Sequence, residues 1–292
     1  EIVMKILVTG CAGFIGSNLV DRLLADGHEI VGIDNFNNYY DPKIKRGNIS
    51  LALESSRFTL YEDDILDFPF LKKVFHKHTF DKIIHCAARA GVRASIADPF
   101  LYSKVNVLGT VNLSRLAVDF DVNQFVFTSS SSVYGNSPNI PFSEDDQCLH
   151  IISPYASSKR SAEIFVETFS KSYGLHSTVL RLFTVYGERG RPDMAPAKFT
   201  SAMLAGEQIT QYGDGTSSRD YTYVGDIVEG IVKALDKVFG YELVNLGNNH
   251  PVKLSDFIKT LEKISGERAR IKIGPKQLGD VEKTWANIDR AK

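Results

Sequence analysis

Lys5-Ile-Leu-Val-Thr9-Gly10-Cys-Ala-Gly13-Phe-Ile-Gly16 joins an apolar, β-branched run to three glycines spaced three residues apart. The run reads as a buried strand, and residues 14–26 follow with helical periodicity up to Gly27. In such a strand–loop–helix unit Gly10 permits the tight turn. Gly13 lets backbone approach a pyrophosphate, and Gly16 lets the helix pack on the strand. Free N–H groups and the helix dipole then favour the phosphates. Asp34 ends the next apolar run, eighteen residues beyond Gly16. A carboxylate there can bond both ribose hydroxyls and repels a 2′-phosphate, so the expected cofactor is NAD rather than NADP. Phe14 and Ile15 inside the loop, Asn35 and Asn38 after Asp34, and Ala87 further on join the expected cofactor contacts. Asp64 and Ile65 are placed to meet the adenine, with core packing the alternative for Ile65.

Outward from this loop, short apolar runs alternate with helical segments. Residues 29–34, 58–61, 82–86, 124–129 and 177–183 read as strands, and about 99–119 and 153–173 as helices. Ser153 is placed to cap the second of these, Pro154 to begin it and Gly174 to end it. This alternation predicts parallel βαβ units, hence an α/β fold with a Rossmann doubly wound parallel sheet. After residue 184 Gly, Pro and Asp become frequent and the helical stretches shorten. The expectation is an NAD-binding domain over residues 1–183. A smaller C-terminal substrate-binding region over 184–292 would partly return to the sheet.

The chain has 292 residues, 43% of them apolar and 24% charged, with a formal net charge of −1. It is too apolar for disorder and long enough to bury a large core without staples. Scattered Lys and Arg predict neither a nucleic-acid nor a membrane partner. Cys11, Cys86 and Cys148 lie far apart and the histidines show no metal spacing, so neither a disulfide nor a metal site is expected. No apolar stretch reaches the roughly 18 residues of a membrane span, and the first residues lack a signal peptide's features. The expected location is cytoplasmic. Met4 is read as the natural first residue, and a further C-terminal element is expected beyond Lys292.

Tyr155-Ala-Ser-Ser-Lys159 places two side chains on one face of a helix. A tyrosine titrates near pH ~10, so a base role near neutrality requires strong depression. Lys159, the positive end of the helix and a charged nicotinamide are three fields that could supply it. The run Phe127-Thr-Ser-Ser-Ser-Ser-Val-Tyr-Gly135 lies at the C-terminal end of the fifth strand, where open α/β sheets bind ligands. Four consecutive serines offer little packing value, so a polar site is expected there.

With these motifs the sequence resembles the extended short-chain dehydrogenase/reductase family, in particular its nucleotide-sugar epimerases. The glycine motif, the serine run, Tyr155-x-x-x-Lys159, Asn106-Val-Leu-Gly109-Thr110 and Arg219-Asp-Tyr-x-x-Val-x-Asp226 occur in the family's order. The resemblance implies NAD, a UDP-sugar substrate and a homodimer through the helices near 100–119 and 154–173. It puts the catalytic hydroxyl at Ser130, beside Tyr155 and Lys159. Arg219 and Asp280 match positions that hold the UDP diphosphate and ribose. Asn106 matches a position on the nicotinamide side, with a purely structural role as the alternative.

Arg181-Leu-Phe-Thr-Val-Tyr-Gly-Glu-Arg-Gly-Arg-Pro-Asp-Met-Ala195 resembles the corresponding stretch of UDP-glucuronate 4-epimerases, as does Ala90–Ile96. The resemblance implies Thr184 and Arg191 beside the sugar and Ser131 and Ser132 near its carboxylate. For Arg191 a loop-stabilising or phosphate-facing role is the alternative. The implied reaction is 4-epimerisation of UDP-glucuronate through a 4-keto intermediate. The runner-up is 4-epimerisation of a neutral UDP-sugar, UDP-N-acetylglucosamine or UDP-glucose. Ser131-Ser132 replaces the acidic residues that related dehydratases and decarboxylases carry there, which argues against those chemistries.

Overall fold

The structure is a computed structural model that describes residues 2–238 and 240–292. Among the described residues twelve strands occur in chain order: β1 (Lys5–Thr9), β2 (Glu29–Asp34), β3 (Phe58–Glu62), β4 (Lys82–His85), β5 (Gln124–Ser130), β6 (Ser177–Leu182), β7 (Thr184–Tyr186), β8 (Gln208–Tyr212), β9 (Ser218–Tyr223), β10 (Tyr241–Leu246), β11 (Pro251–Lys253) and β12 (Arg270–Gly274). Seven form one parallel sheet in the order β10-β6-β5-β4-β1-β2-β3. The chain winds one way from β1 through β2 to β3, then returns past β1 to β4, β5 and β6. The loops diverge between β1 and β4, which opens a crevice at their carboxyl ends.

Both faces of the sheet are covered, so its strands are apolar on both sides. Ile6, Val8, Ile30, Ile84 and Leu180 pack under the helices Phe14–Ala25 and Val224–Asp236. Their neighbours Leu7, Val31, Ile83, Phe125 and Val179 pack under the helices Phe68–Lys77, Gly109–Asp119 and Pro154–Tyr173. Ser153 caps the last of these by accepting from the Ala156 N–H at 3.2 Å, and Gly174 ends it at φ +74°.

Two sequence expectations need correction. The helix anticipated over 99–119 is three pieces: an α-turn at Pro99–Tyr102, a wider π-turn at Ser103–Leu108 and an α-helix at Gly109–Asp119. The π-turn presents Asn106 inward, and the Asn106 backbone carbonyl accepts from the Thr110 hydroxyl at 2.6 Å. Helices past residue 184 also prove to be full length: Ala195–Leu204, Val224–Asp236 and Leu254–Ser265. Frequent Gly and Pro mark the loops between them.

Past residue 184 the chain serves two places. β10 and the helix Val224–Asp236 extend the central sheet and its cover. The small sheets β11-β9-β7 and β12-β8, with the other two helices, stand over the carboxyl ends of the strands. Asp220, fully buried in β9, ties this part down by accepting from the N–H groups of Asn248 at 2.8 Å and Ala286 at 2.9 Å. No helix among the described residues is long and apolar enough to cross a membrane.

One buried ion pair joins the sheet to the helix that carries Tyr155. Arg181 in β6 grips Glu163 with Nε at 3.0 Å and Nη2 at 2.8 Å, both side chains 0% exposed. Ser129 in β5 donates to the same carboxylate at 2.6 Å. Removing one partner strands a charge, whereas removing both does not. Glu163→Leu is therefore expected to lower unfolding free energy by about 3–5 kcal/mol, and the Glu163→Leu/Arg181→Met double variant to recover most of it. Urea denaturation midpoints of the three proteins check this.

Candidate active site

A cleft of about 650 Å³ opens at the divergence of β1 and β4 and runs to the C-terminal small sheets. At its floor Gly10 adopts φ +69°, and a Cβ there would stand 2.8 Å from the Ala87 amide nitrogen. A Cβ on Gly16 would sit 2.1 Å from the Gly10 oxygen, so helix and strand touch through bare backbone. At Gly13 a Cβ would meet only the Gly10 oxygen, at 3.3 Å, and its open side is toward the cleft. Gly13 begins the helix with no side-chain cap and no acidic residue in the first turn. The leading N–H groups are thus left for an external anion, and the loop fits a dinucleotide pyrophosphate.

Asp34 stands at the end of β2, held by the N–H groups of Ala12 at 3.1 Å and Phe36 at 2.9 Å. Burial pushes its carboxyl up, against those bonds and the pull of Lys45. Asn35 donates to Asp64 at 2.8 Å, and both line the cleft with Ile65 and Ala87. Two residues expected here are elsewhere. Asn38 is exposed and outside the lining, and Asn37 takes that place. Asn37 accepts from Arg89 at 3.2 Å on its side chain and from Lys45 at 2.9 Å on its carbonyl. Asn106 is buried beneath the cleft. Its amide donates to the Arg89 carbonyl and the Ser158 hydroxyl, both at 2.9 Å, and accepts from the Arg89 N–H at 2.7 Å. Two of these bonds bracket the loop after β4 and the third ties Asn106 to the helix that carries Tyr155.

Tyr155 and Lys159 project from the first turns of Pro154–Tyr173 into the middle of the cleft. The Ser130 hydroxyl stands close enough to the Tyr155 phenol to lower it, and Ser131 and Ser132 follow in a short turn. Lys159 is buried and donates to the Thr128 carbonyl at 2.8 Å. Burial pushes its ammonium down to about 8. The expectation of a depressed phenol is not met by the protein's own groups. Burial pushes Tyr155 up, and only Ser130 and Arg191 oppose it. Lys159, turned to a backbone carbonyl, does not contribute. His85 beneath this centre lies between the hydroxyls of Thr9 at 2.7 Å and Thr110 at 3.0 Å, and burial pushes it down to about 3. It is a neutral packing residue.

On the far side Thr184 of β7, Arg191, Arg219 of β9 and Asp280 line the same cleft. Arg219 donates to the Ser218 carbonyl at 2.9 Å, and burial lowers it against the pull of Asp280. Arg93 lies 3.3 Å from Asp280. Sequence reasoning missed Tyr39, Lys45, Arg89 and Asp193 as lining residues. Asp193 lies within the stretch 181–195 but was not singled out, Lys45 sits on the short helix Pro42–Asn48, and Tyr39 and Arg89 sit in the loops after β2 and β4. No group of three or more potential metal ligands occurs among the described residues.

Comparison with known proteins agrees with this layout. A "UDP-glucuronate 4-epimerase" from Thermodesulfobacterium geofontis is 42% identical over 288 residues, 98% of this chain and 88% of that protein. The crystal structure of the UDP-glucuronic acid 4-epimerase from Bacillus cereus, in complex with UDP-glucuronic acid and NAD, superposes with a TM-score of 0.93. It is 38% identical and covers 99% of this chain and 91% of that one. A UDP-glucose 4-epimerase from Thermotoga maritima, solved with UDP-glucose, gives a TM-score of 0.90 at 33% identity, over 99% and 91% of the two chains. The profile of the NAD dependent epimerase/dehydratase family matches residues 6–247. With most of its length matched by that profile, the chain belongs to the NAD dependent epimerase/dehydratase family.

Proposed function

We propose that this chain is an NAD-dependent 4-epimerase that interconverts UDP-glucuronate and UDP-galacturonate. One juxtaposition carries the reading: Thr184 and Arg191 share a single cleft with the Ser130–Ser132 hydroxyls and Tyr155. A uronate carboxylate calls for such hydroxyl and guanidinium donors, since charge-assisted bonds are the strong ones. The T. geofontis relative bears this activity in its name, and the B. cereus enzyme was crystallised with this sugar nucleotide and NAD.

In this reading residues 1–183 mainly serve NAD, through Gly10, Gly13, Phe14, Ile15, Gly16, Asp34, Asn35, Asp64, Ile65 and Ala87. Residues 184–292 mainly serve the UDP-sugar. NAD, when bound, would supply a reversible hydride acceptor for carbon 4 and a positive charge near the phenol. Tyr155 takes the proton from the sugar 4-hydroxyl, and Ser130 bonds the same oxygen. Lys159 supports the cofactor ribose, and the nicotinamide charge would join Ser130 and Arg191 in lowering the phenol that burial raises. Arg219 and Asp280 anchor the diphosphate and ribose while the 4-keto sugar turns.

The 4-keto uronate is a β-keto acid, prone to lose carbon dioxide when the C5–C6 bond to its carboxylate stands perpendicular to the plane of the ketone. Ser131, Ser132, Thr184 and Arg191 hold it away from that geometry. The product suits polysaccharide biosynthesis in the cytoplasm. Phe100 at 86% exposure and Leu108, Ile164 and Phe165 on adjoining helices support a homodimer.

Incubation with UDP-glucuronate, followed by the anomeric NMR signals, is expected to give UDP-galacturonate. Turnover of UDP-glucose or UDP-N-acetylglucosamine instead would select the neutral-sugar reading, which the T. maritima structure favours. Tyr155→Phe is expected to lose turnover by about 10³-fold or more while retaining NAD, measured as cofactor released on denaturation. Unchanged turnover would remove Tyr155 as the base.

A further inference from the structure

Arg191 does not stand free in the cleft. Its Nε donates to Asp193 Oδ1 at 3.0 Å and its Nη2 to Asp193 Oδ2 at 2.5 Å. The Tyr39 hydroxyl donates to the same Oδ2 at 3.2 Å and accepts from Nη2 at 3.5 Å. The Tyr39 ring lies 5.3 Å from the guanidinium. Tyr39 comes from the loop after β2 and passes over Gly91, where a Cβ would stand 2.2 Å from its oxygen. One edge of Arg191 is therefore fully used. Among the described residues the N–H bonds on Nη1 have no protein acceptor. Arg191 is also close enough to Tyr155 for each charge to act on the other.

We propose that Asp193 and Tyr39 are positioning residues that fix the direction of Arg191 and so decide whether the 4-keto uronate is reduced again or loses its carboxylate. The inference rests on the UDP-glucuronate reading. A guanidinium held along one edge offers donors from one direction only. A carboxylate bound to Nη1 holds C6 in place, so the C5–C6 bond cannot tip perpendicular to the C4 ketone plane without giving up that contact. Released from Asp193, the guanidinium would follow the carboxylate as the ring changes shape. The Asp193 charge also offsets that of Arg191, so this clamp adds little net attraction for an anion. Its effect belongs on direction rather than affinity.

The competing step has a definite balance. The C5–C6 bond breaks, its electron pair enters the C4 carbonyl as an enolate, carbon dioxide leaves and C5 takes a proton. The hydride is not returned, so each loss leaves one reduced nicotinamide and one UDP-4-ketopentose.

The test compares the NAD-loaded protein with Asp193→Asn and Tyr39→Phe, following UDP-galacturonate by NMR, reduced nicotinamide by absorbance and UDP-glucuronate affinity by calorimetry. For Asp193→Asn, epimerisation is expected to fall about tenfold and the decarboxylated fraction to rise at least about fivefold. The dissociation constant should stay equal or fall, because a negative charge beside the ligand is gone. Tyr39→Phe should move in the same direction by less. Should Asp193→Asn fail to fold, Tyr39→Phe decides the matter, since its ring keeps the packing over Gly91. A parent protein that epimerises UDP-glucuronate while both variants partition as it does would overturn the positioning role alone. So would affinity falling in step with turnover. A parent that leaves UDP-glucuronate unchanged would overturn the functional reading and this inference together.

Discussion

The contact on which the cleft depends is bare backbone against bare backbone, Gly10 against Ala87 at the ends of two adjacent parallel strands. β1 and β4 are neighbours whose connections leave in opposite directions. Any side chain at position 10 would wedge them apart at 2.8 Å. That closeness sets the floor beneath both the phosphate loop and the loop that carries Arg89. A chain of polar bonds underneath keeps it: the Ala87 N–H to Thr9, Thr9 to His85, His85 to Thr110 and Thr110 to the carbonyl of Asn106. Each group in this chain is neutral and paired, so it can be buried at little cost.

Above that floor the charges are arranged differently. Asp34, Tyr155 and Lys159 are all pushed toward their neutral forms by burial. Desolvation acts on them before any ligand arrives, and charge brought by a ligand then acts with little screening. The reactive centre is thus built to respond to its cofactor rather than to be fully poised without it.

Much of this was legible in the sequence. Six of the seven central strands could be read because β-branched runs at regular spacing have few alternatives, and their bounds agreed to within a residue or so, whereas β10 was not read as a strand. Ser153, Pro154 and Gly174 marked one helix to the residue because capping is a local matter. The site motifs lay on strand ends and first helical turns, where spacing fixes direction. The bracket made by Asn106 was less visible, because its side-chain partners Arg89 and Ser158 lie 17 and 52 residues away in the chain. Tyr39 and Asp193 were invisible for the same reason. Their meeting joins loops 154 residues apart, and neither loop carries a periodic signal. The phenol of Tyr155 was misjudged because neighbours in sequence were weighed and burial was not.

The π-turn at Ser103–Leu108 also bears on what the gene can become. It admits a wider winding in the middle of an otherwise α-helical stretch. A π-turn holds one residue more than the α-turn that would span the same length, so deleting a single codon there would restore even winding and leave Leu113, Leu116 and Ala117 against the sheet. The same deletion inside the regular helix that follows would rotate everything after it by about 100° and turn such residues toward water. The irregular turn is thus a place where a residue can be lost without refitting the core downstream, and what would be lost with it is the inward placement of Asn106.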